Sequence, residues 1–171
     1  GVMSVDYREL QELQKRMQNF IDHGADKLCR DCTNELTMRL YRKIVKNTIT
    51  GEYEVIVYTK KDGSSKSYNE NRHGGTLKRG WSTALNESTL QTEGNEYVRI
   101  LTNNVSYASY YEYGHRQEPG RFVPHIGKRL KQAWVPGKHV VTKAERDIQK
   151  IAPALIQKKL DEKMKEMLNG S

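Results

Sequence analysis

Apolar residues recur at helical spacing from about Asp6 to Asn47: Leu10, Leu13, Met17, Phe20 and Ile21, then Leu28, Cys32, Leu36, Leu40 and Ile44. The pattern predicts one long amphipathic helix, or two in tandem, with a single stripe for burial. Gly24 interrupts the run and is placed to kink or split it, and "TITG" (Thr48 to Gly51) ends it. "YEVIVYT", Tyr53 to Thr59, is β-branched and aromatic and predicts a strand. The polar, glycine-punctuated stretch that follows has little to bury, and residues 60–75 are expected to form a mobile loop or hairpin arm. Structure restarts at "GGTLKRGW": Gly75 supplies a turn, and Thr76 can cap a single helical turn that buries Leu77 and Trp81.

"STLQTEGNEYVRILTN" predicts a hairpin turning at Glu93-Gly94-Asn95, with Val98, Ile100 and the Thr102 methyl on one buried face. "YASYYEYGHR", Tyr107 to Arg116, places Tyr107, Tyr110 and Tyr111 on one side of a short helix, with Gly114 as a left-handed C-cap. A Pro/Gly-rich passage runs from Gln117 to the turn at Gly137. The C-terminal helix is expected over 142–168. "TKAE" (Thr142 to Glu145) has the form of a capping box, and Ile148, Ile151, Leu155, Ile156, Leu160, Met164 and Leu168 mark an apolar face. Pro153 is expected to kink or divide that helix. The sum is an α+β fold: long N-terminal and C-terminal helices packed on a small antiparallel sheet, with a short central helix and an extended polar hairpin. The 171 residues suit a single domain over 1–171. Gly1 and Val2 ahead of Met3 read as a tag remnant, and residues 1–5 as disordered.

Composition adds an interaction theme. Two phenylalanines against ten tyrosines shift aromatic packing onto a side chain with a polar tip, which favours boundaries over deep cores. Trp81 and Trp134 are expected to serve as core or boundary anchors. The net charge of +8 raises the prior for acidic partners or nucleic acid. Along the chain, Arg116 to Val141 carries six Lys or Arg and one acid, whereas Glu87 to His115 carries four acids and one Arg. An acidic middle followed by a basic segment suits complementary subunit faces as readily as phosphate binding. No apolar run is long enough to span a bilayer and no signal peptide is visible, so no membrane partner is expected. Cys29 and Cys32 cannot build a disulfide framework, which points to synthesis inside the cell.

Signals for catalysis are weak. "CRDC" is half of a zinc or redox signature without a second half, and its thiols read as buried side chains on one helical face. Glu112 and His115 have the i, i+3 spacing of a di-iron ligand pair, but the second motif such a site needs is missing. No serine elbow, phosphate loop or paired-carboxylate signature is present, so no cofactor, metal or enzymatic activity is expected. Nucleic-acid binding is the serious rival, since tyrosines beside arginines can stack bases while cations hold phosphates. Glu112 among the tyrosines argues against it.

The succession "GGTLKRGW", hairpin, "NNVSYASYYEYGHRQ" and "WVPGKHVVTKAERDIQKIAPALIQKKL" resembles the tail-component family of tailed bacteriophages, whose members complete the tail or join it to the head. The resemblance runs from about Ile44 to Leu168 and is most specific at Tyr107 to Arg116. Tyr111 stands where an aliphatic residue is commoner, the turn at Thr48 lacks proline, and Glu52 to Arg72 is longer than in compact members. The resemblance implies a structural virion protein of a phage or prophage, made in the bacterial cytoplasm and then located in the tail or neck. It implies assembly with itself into a ring, commonly of six, heterologous contacts between two different faces of each subunit, and neighbours in the tail tube and head connector. Non-specific contact with passing DNA is compatible with such a ring. On this reading Tyr107, Tyr110, Glu112, Tyr113, His115, Arg116 and Arg121 are the expected assembly interface. The alternative is a small basic nucleic-acid-binding protein.

Overall fold

A computed structural model describes residues 6–170; the tag remnant expected at the N-terminus lies outside the described residues. The fold is α+β, with long helices at both ends and short antiparallel ladders between them. In place of one small sheet there are four separate two-stranded ladders. The chain groups into two compact units, each assembled from separate stretches of sequence.

The first unit takes the chain up to Leu40, Thr89–Ile100 and the chain from Arg146 onward. It begins with helix α1 (Arg8–Asn19) and a π-helical turn, Phe20–Gly24, which leads into α2 (Ala25–Asn47). The N–H of Ala25 donates to the carbonyl of Phe20, the wide bond that defines such a turn. Gly24 permits it, because a Cβ there would sit 2.7 Å from the Phe20 ring. The expected split at Gly24 is thus a one-turn widening within a continuous helical run.

The β3–β4 hairpin (Leu90–Glu93 and Glu96–Arg99) turns at Gly94-Asn95 and rests on α2: the Tyr97 hydroxyl donates to Asp26 at 2.8 Å and Arg99 to Asn34 at 3.0 Å. Its expected buried face is only partly realised, since Ile100 lies beyond the ladder and is exposed. Helix α5 (Val140–Asn169) reaches α2 through the Lys159–Glu35 ion pair, 2.8 Å. Cys32 and Met167 are the buried apolar side chains of this unit. Pro153 neither ends nor divides α5; it withholds one N–H from the ladder, and the helix continues past it. Over its first half the apolar stripe expected to be buried along the N-terminal helix is only partly covered, with Leu13 and Phe20 half-buried. No side chain of α1 is buried, and Leu10, Met17 and Ile21 are exposed.

The second unit takes Tyr41–Ser88 and Leu101–Glu145. The predicted arm is an ordered hairpin, β1 (Ile56–Thr59) with β2 (Ser65–Tyr68), in the register Tyr58 opposite Lys66. Helix α3 (Thr76–Glu87) is three turns long rather than one. Gly75 (φ +89) is its N-cap, and Thr76 makes no side-chain cap bond. Leu77, Trp81 and Ala84 form its buried face, and the core continues through Ile44, Thr48, Val140 and Ala144. After α4 (Ala108–Tyr113) come β5 (Gly114–Arg116), β6 (Phe122–Val123), a single 3-10 turn (Pro124–Ile126), β7 (Lys128–Arg129) and β8 (Trp134–Pro136). Ladders pair β5 with β8 and β6 with β7.

Candidate functional site: the junction around Glu112

Asn103 sets the approach to α4. Its side chain donates to the Leu77 carbonyl and accepts the Val105 N–H, bending the chain into the turn at Val105–Ala108. Helix α4 then ends at Gly114, where φ is +89 and ψ is 175. The positive φ expected of a C-cap glycine is present, but the conformation is extended rather than left-handed helical. The reason is that β5 starts at this residue and pairs at once with β8. Backbones meet here with no room for side chains: a Cβ on Gly114 would lie 2.4 Å from the Val135 carbonyl, and one on Gly137 2.1 Å from the Glu112 carbonyl.

The two helix ends at this place satisfy each other. The final carbonyls of α4, on Tyr111 and Glu112, accept the N–H groups of Lys138 (2.8 Å) and His139 (3.1 Å). In return, the Glu112 carboxylate accepts the first N–H groups of α5, from Val141 at 3.0 Å and Thr142 at 2.8 Å, plus the Thr142 hydroxyl at 2.8 Å. A helix start leaves four such donors without intrahelical partners, and a carboxylate at a positive helix end is favoured by the dipole as well. Glu112 is 6% exposed. Burial opposes its charge, but the N–H groups of Thr142 and Val141, the Thr142 hydroxyl and nearby His139 outweigh it and hold the carboxyl below the ordinary 4.5.

Two expectations are corrected here. Thr142 is not the cap of a capping box; α5 begins two residues earlier, at Val140, and Thr142 is itself a donor to the cap. Glu112 is not an exposed interface residue, because both its oxygens are engaged by the start of α5. Among the described residues no group of three or more His, Cys, Asp or Glu lies together.

The other residues singled out fall on different sides of this junction. Tyr107, Tyr110 and Tyr113 are exposed, not packed, whereas Tyr111 turns inward and accepts the Ile49 N–H on its hydroxyl at 2.9 Å. Tyr110 lies against the half-buried His115 ring, 5.4 Å between centroids, and Tyr113 faces His139 at 6.4 Å. Tyr107, Tyr110, His115, Val135, Pro136 and Lys138 line an open cleft of about 330 Å³, with the Nδ1 of His115 buried and unpartnered. Arg116 and Arg121 are exposed. Trp81 is 9% exposed and packs in the core of its unit, but Trp134, at 50%, is no core anchor. It sits opposite Arg116 at the end of the three-residue β5–β8 ladder.

The four acids of the acidic middle are divided between the two units. Glu112 is inside, Glu93 and Glu96 flank the β3–β4 turn of the first unit, and Glu87 ends α3 of the second. Sequence reasoning missed Tyr111, Asn103 and the partner of Glu112. Thirty residues separate Glu112 from Thr142, and no local pattern signals a cap supplied from so far away.

Among the described residues no helix is long and apolar enough to cross a membrane. Searches of curated proteins and of solved structures found no match. A family model does match, over residues 11–114. It takes in the N-terminal helices, which the resemblance read from the sequence did not include, and stops at Gly114. The span exceeds half of the 171 residues, and the chain therefore belongs to the family described as "Bacteriophage HK97-gp10, putative tail-component", which makes it a phage tail component.

Proposed function

We propose that this tail component completes the tail and joins it to the head connector by forming a ring, commonly of six subunits, with tail-tube and connector proteins as its neighbours. The observation that carries the reading is a line of exposed apolar side chains along the N-terminal helix. Tyr7, Leu10, Met17 and Ile21 are exposed at spacings of three, seven and four residues, and α1 buries no side chain of its own. That spacing keeps one seam of a helix facing a partner, and an apolar stripe left in water is stable only until something covers it.

A ring requires two different surfaces on each subunit. The stripe on the helical unit is one. The exposed Tyr107, Tyr110, Tyr113 and Arg116, with the half-buried His115, are the second; tyrosine and arginine are the residue types that concentrate binding energy at interfaces. Glu112 positions this second surface from beneath and touches no neighbour. The subunit is synthesised in the host cytoplasm and ends in the neck of the virion.

Mass in solution and composition of purified tails test the proposal. A triple variant Leu10→Ser, Met17→Ser, Ile21→Ser is expected to keep its helical circular dichroism, lose oligomerisation and drop out of tails. Wild-type incorporation of that variant, or a protein that never enters a ring or a tail, would overturn it.

A further inference from the structure

The net charge of the chain is not spread over it. The helical unit has 13 Lys and Arg against 13 Asp and Glu, so the second unit, with 16 against 8, holds the entire +8. Within the second unit the excess concentrates where two hairpins meet. Tyr58 of β1 packs edge-on against Tyr68 (5.8 Å) and Phe122 (6.0 Å), and Tyr68 against His125 (4.9 Å). The Tyr58 hydroxyl donates to the Pro124 carbonyl, and the Asn69 amide to the carbonyls of Glu54 and His125. The β1–β2 and β6–β7 hairpins are therefore fastened into one body.

Residues 54–70 and 120–131 of that body carry seven Lys or Arg and three acids, Glu54, Asp62 and Glu70, the last of which accepts the Ser67 hydroxyl. Asp62 is turned into its own loop, where it accepts the N–H and hydroxyl of Ser64. Lys60, Lys61, Lys66, Arg121, Lys128, Arg129 and Lys131 are all exposed, and none of them forms an ion pair with a described residue.

We propose that this two-hairpin face binds the phosphate backbone of duplex DNA without reading its sequence. Unpaired cations at this density repel one another and are relieved by a polyanion, whose counterions they displace. A second copy of the chain is a poor source of that charge. It brings the same net +8, and of the helical unit's 13 carboxylates Asp6, Glu12, Asp26, Asp31, Glu35 and Glu166 already hold cations of their own. Stacking on unpaired bases is disfavoured too: the rings are committed edge-to-face, with Lys66 over Tyr68 at 5.0 Å and Arg129 over Phe122 at 6.0 Å. What is left is positive charge on a rigid, mostly backbone-paired surface, suited to phosphate contact alone. Arg121, expected at a subunit contact, belongs to this surface. The inference concerns the isolated subunit and stands independently of ring formation.

Fluorescence anisotropy of the full chain with a labelled duplex of about 30 base pairs tests it. For about five neutralised phosphates, affinity should fall about 500-fold between about 50 and 200 mM salt. The triple variant Arg121→Glu, Lys128→Glu, Lys131→Glu should bind more than about 10-fold more weakly. An equal charge change on the helical unit, Lys150→Glu, Lys158→Glu, Lys165→Glu, should change binding less than about 2-fold. Circular dichroism checks both folds, and the Gln counterparts of the first triple serve if charge reversal disturbs the hairpin. Equal losses from both triples would overturn the placement. Salt-dependent capture of labelled polyglutamate in place of duplex, or tighter binding of single strands, would overturn the partner.

Discussion

The two units are held together by different physics. The helical unit is neutral and laced with surface ion pairs: Arg30 with Asp26, Lys27 with Asp31, and Arg39 and Lys159 sharing Glu35. Such pairs are wet, and each contributes a fraction of a kcal/mol. Part of its apolar stripe faces solvent along α1. The basic unit has few acids to spend, and the one it buries, Glu112, is bonded to backbone donors rather than to a cation. Its integrity rests on close backbone approach at Gly114 and Gly137 and on the packing of Trp81, Leu77 and Val140. The first unit leaves Leu10, Met17 and Ile21 in water. The second is locked locally and presents its charge outward.

Substitutions should separate the two. The largest effects belong to the basic unit. Trp81→Ala should cost about 4 kcal/mol through the cavity it leaves. Gly137→Ala should cost about as much, because the new methyl meets the fixed Glu112 carbonyl rather than a movable side chain. Urea unfolding measures both; a loss under about 1 kcal/mol for either would show that the junction yields. Next, Glu112→Ala should cost about 2 kcal/mol by stripping Val141 and Thr142 of their acceptor, with Glu112→Gln recovering part of it.

The same residue sets an acid limb. Its folded carboxyl lies below the ordinary 4.5, so its contribution is complete above that pH and is lost as pH falls through the depressed folded value. Stability measured downward from neutral pH should fall in that window for the wild type and fall less in Glu112→Gln. The smallest effect is expected in the helical unit. Glu35→Gln removes two partly exposed ion pairs and should cost less than any substitution above, fading further in high salt. A larger cost would mean that the pairing of α2 with α5 depends on charge after all.

Much of the fold was legible because its signals are local. The 3.6-residue recurrence from Leu10 to Ile44 marked the helices, and the Gly94-Asn95 turn between alternating residues marked β3–β4. The capping box at Thr142 misled for a physical reason: its sequence would serve a free helix, but a carboxylate from α4 reaches the same donors and moves the start of α5 to Val140. The tyrosine helix was misjudged similarly. Spacing put Tyr107, Tyr110 and Tyr111 together on one side of α4, but spacing cannot say which residues meet the core. The structure turns Tyr111 and Glu112 inward and leaves the other tyrosines in water.

By itself the sequence determined the long terminal helices, the β3–β4 hairpin, the positive balance of charge and the need for glycine at Gly114. Each depends on residues close in the chain or on simple sums. Only the tertiary structure decided that the +8 resides in one unit, that α1 keeps part of its apolar stripe uncovered, and that Glu112 serves the end of a helix 30 residues away. Those outcomes depend on which distant segments meet, and a carboxylate is either an interface charge or a buried cap according to what arrives beside it.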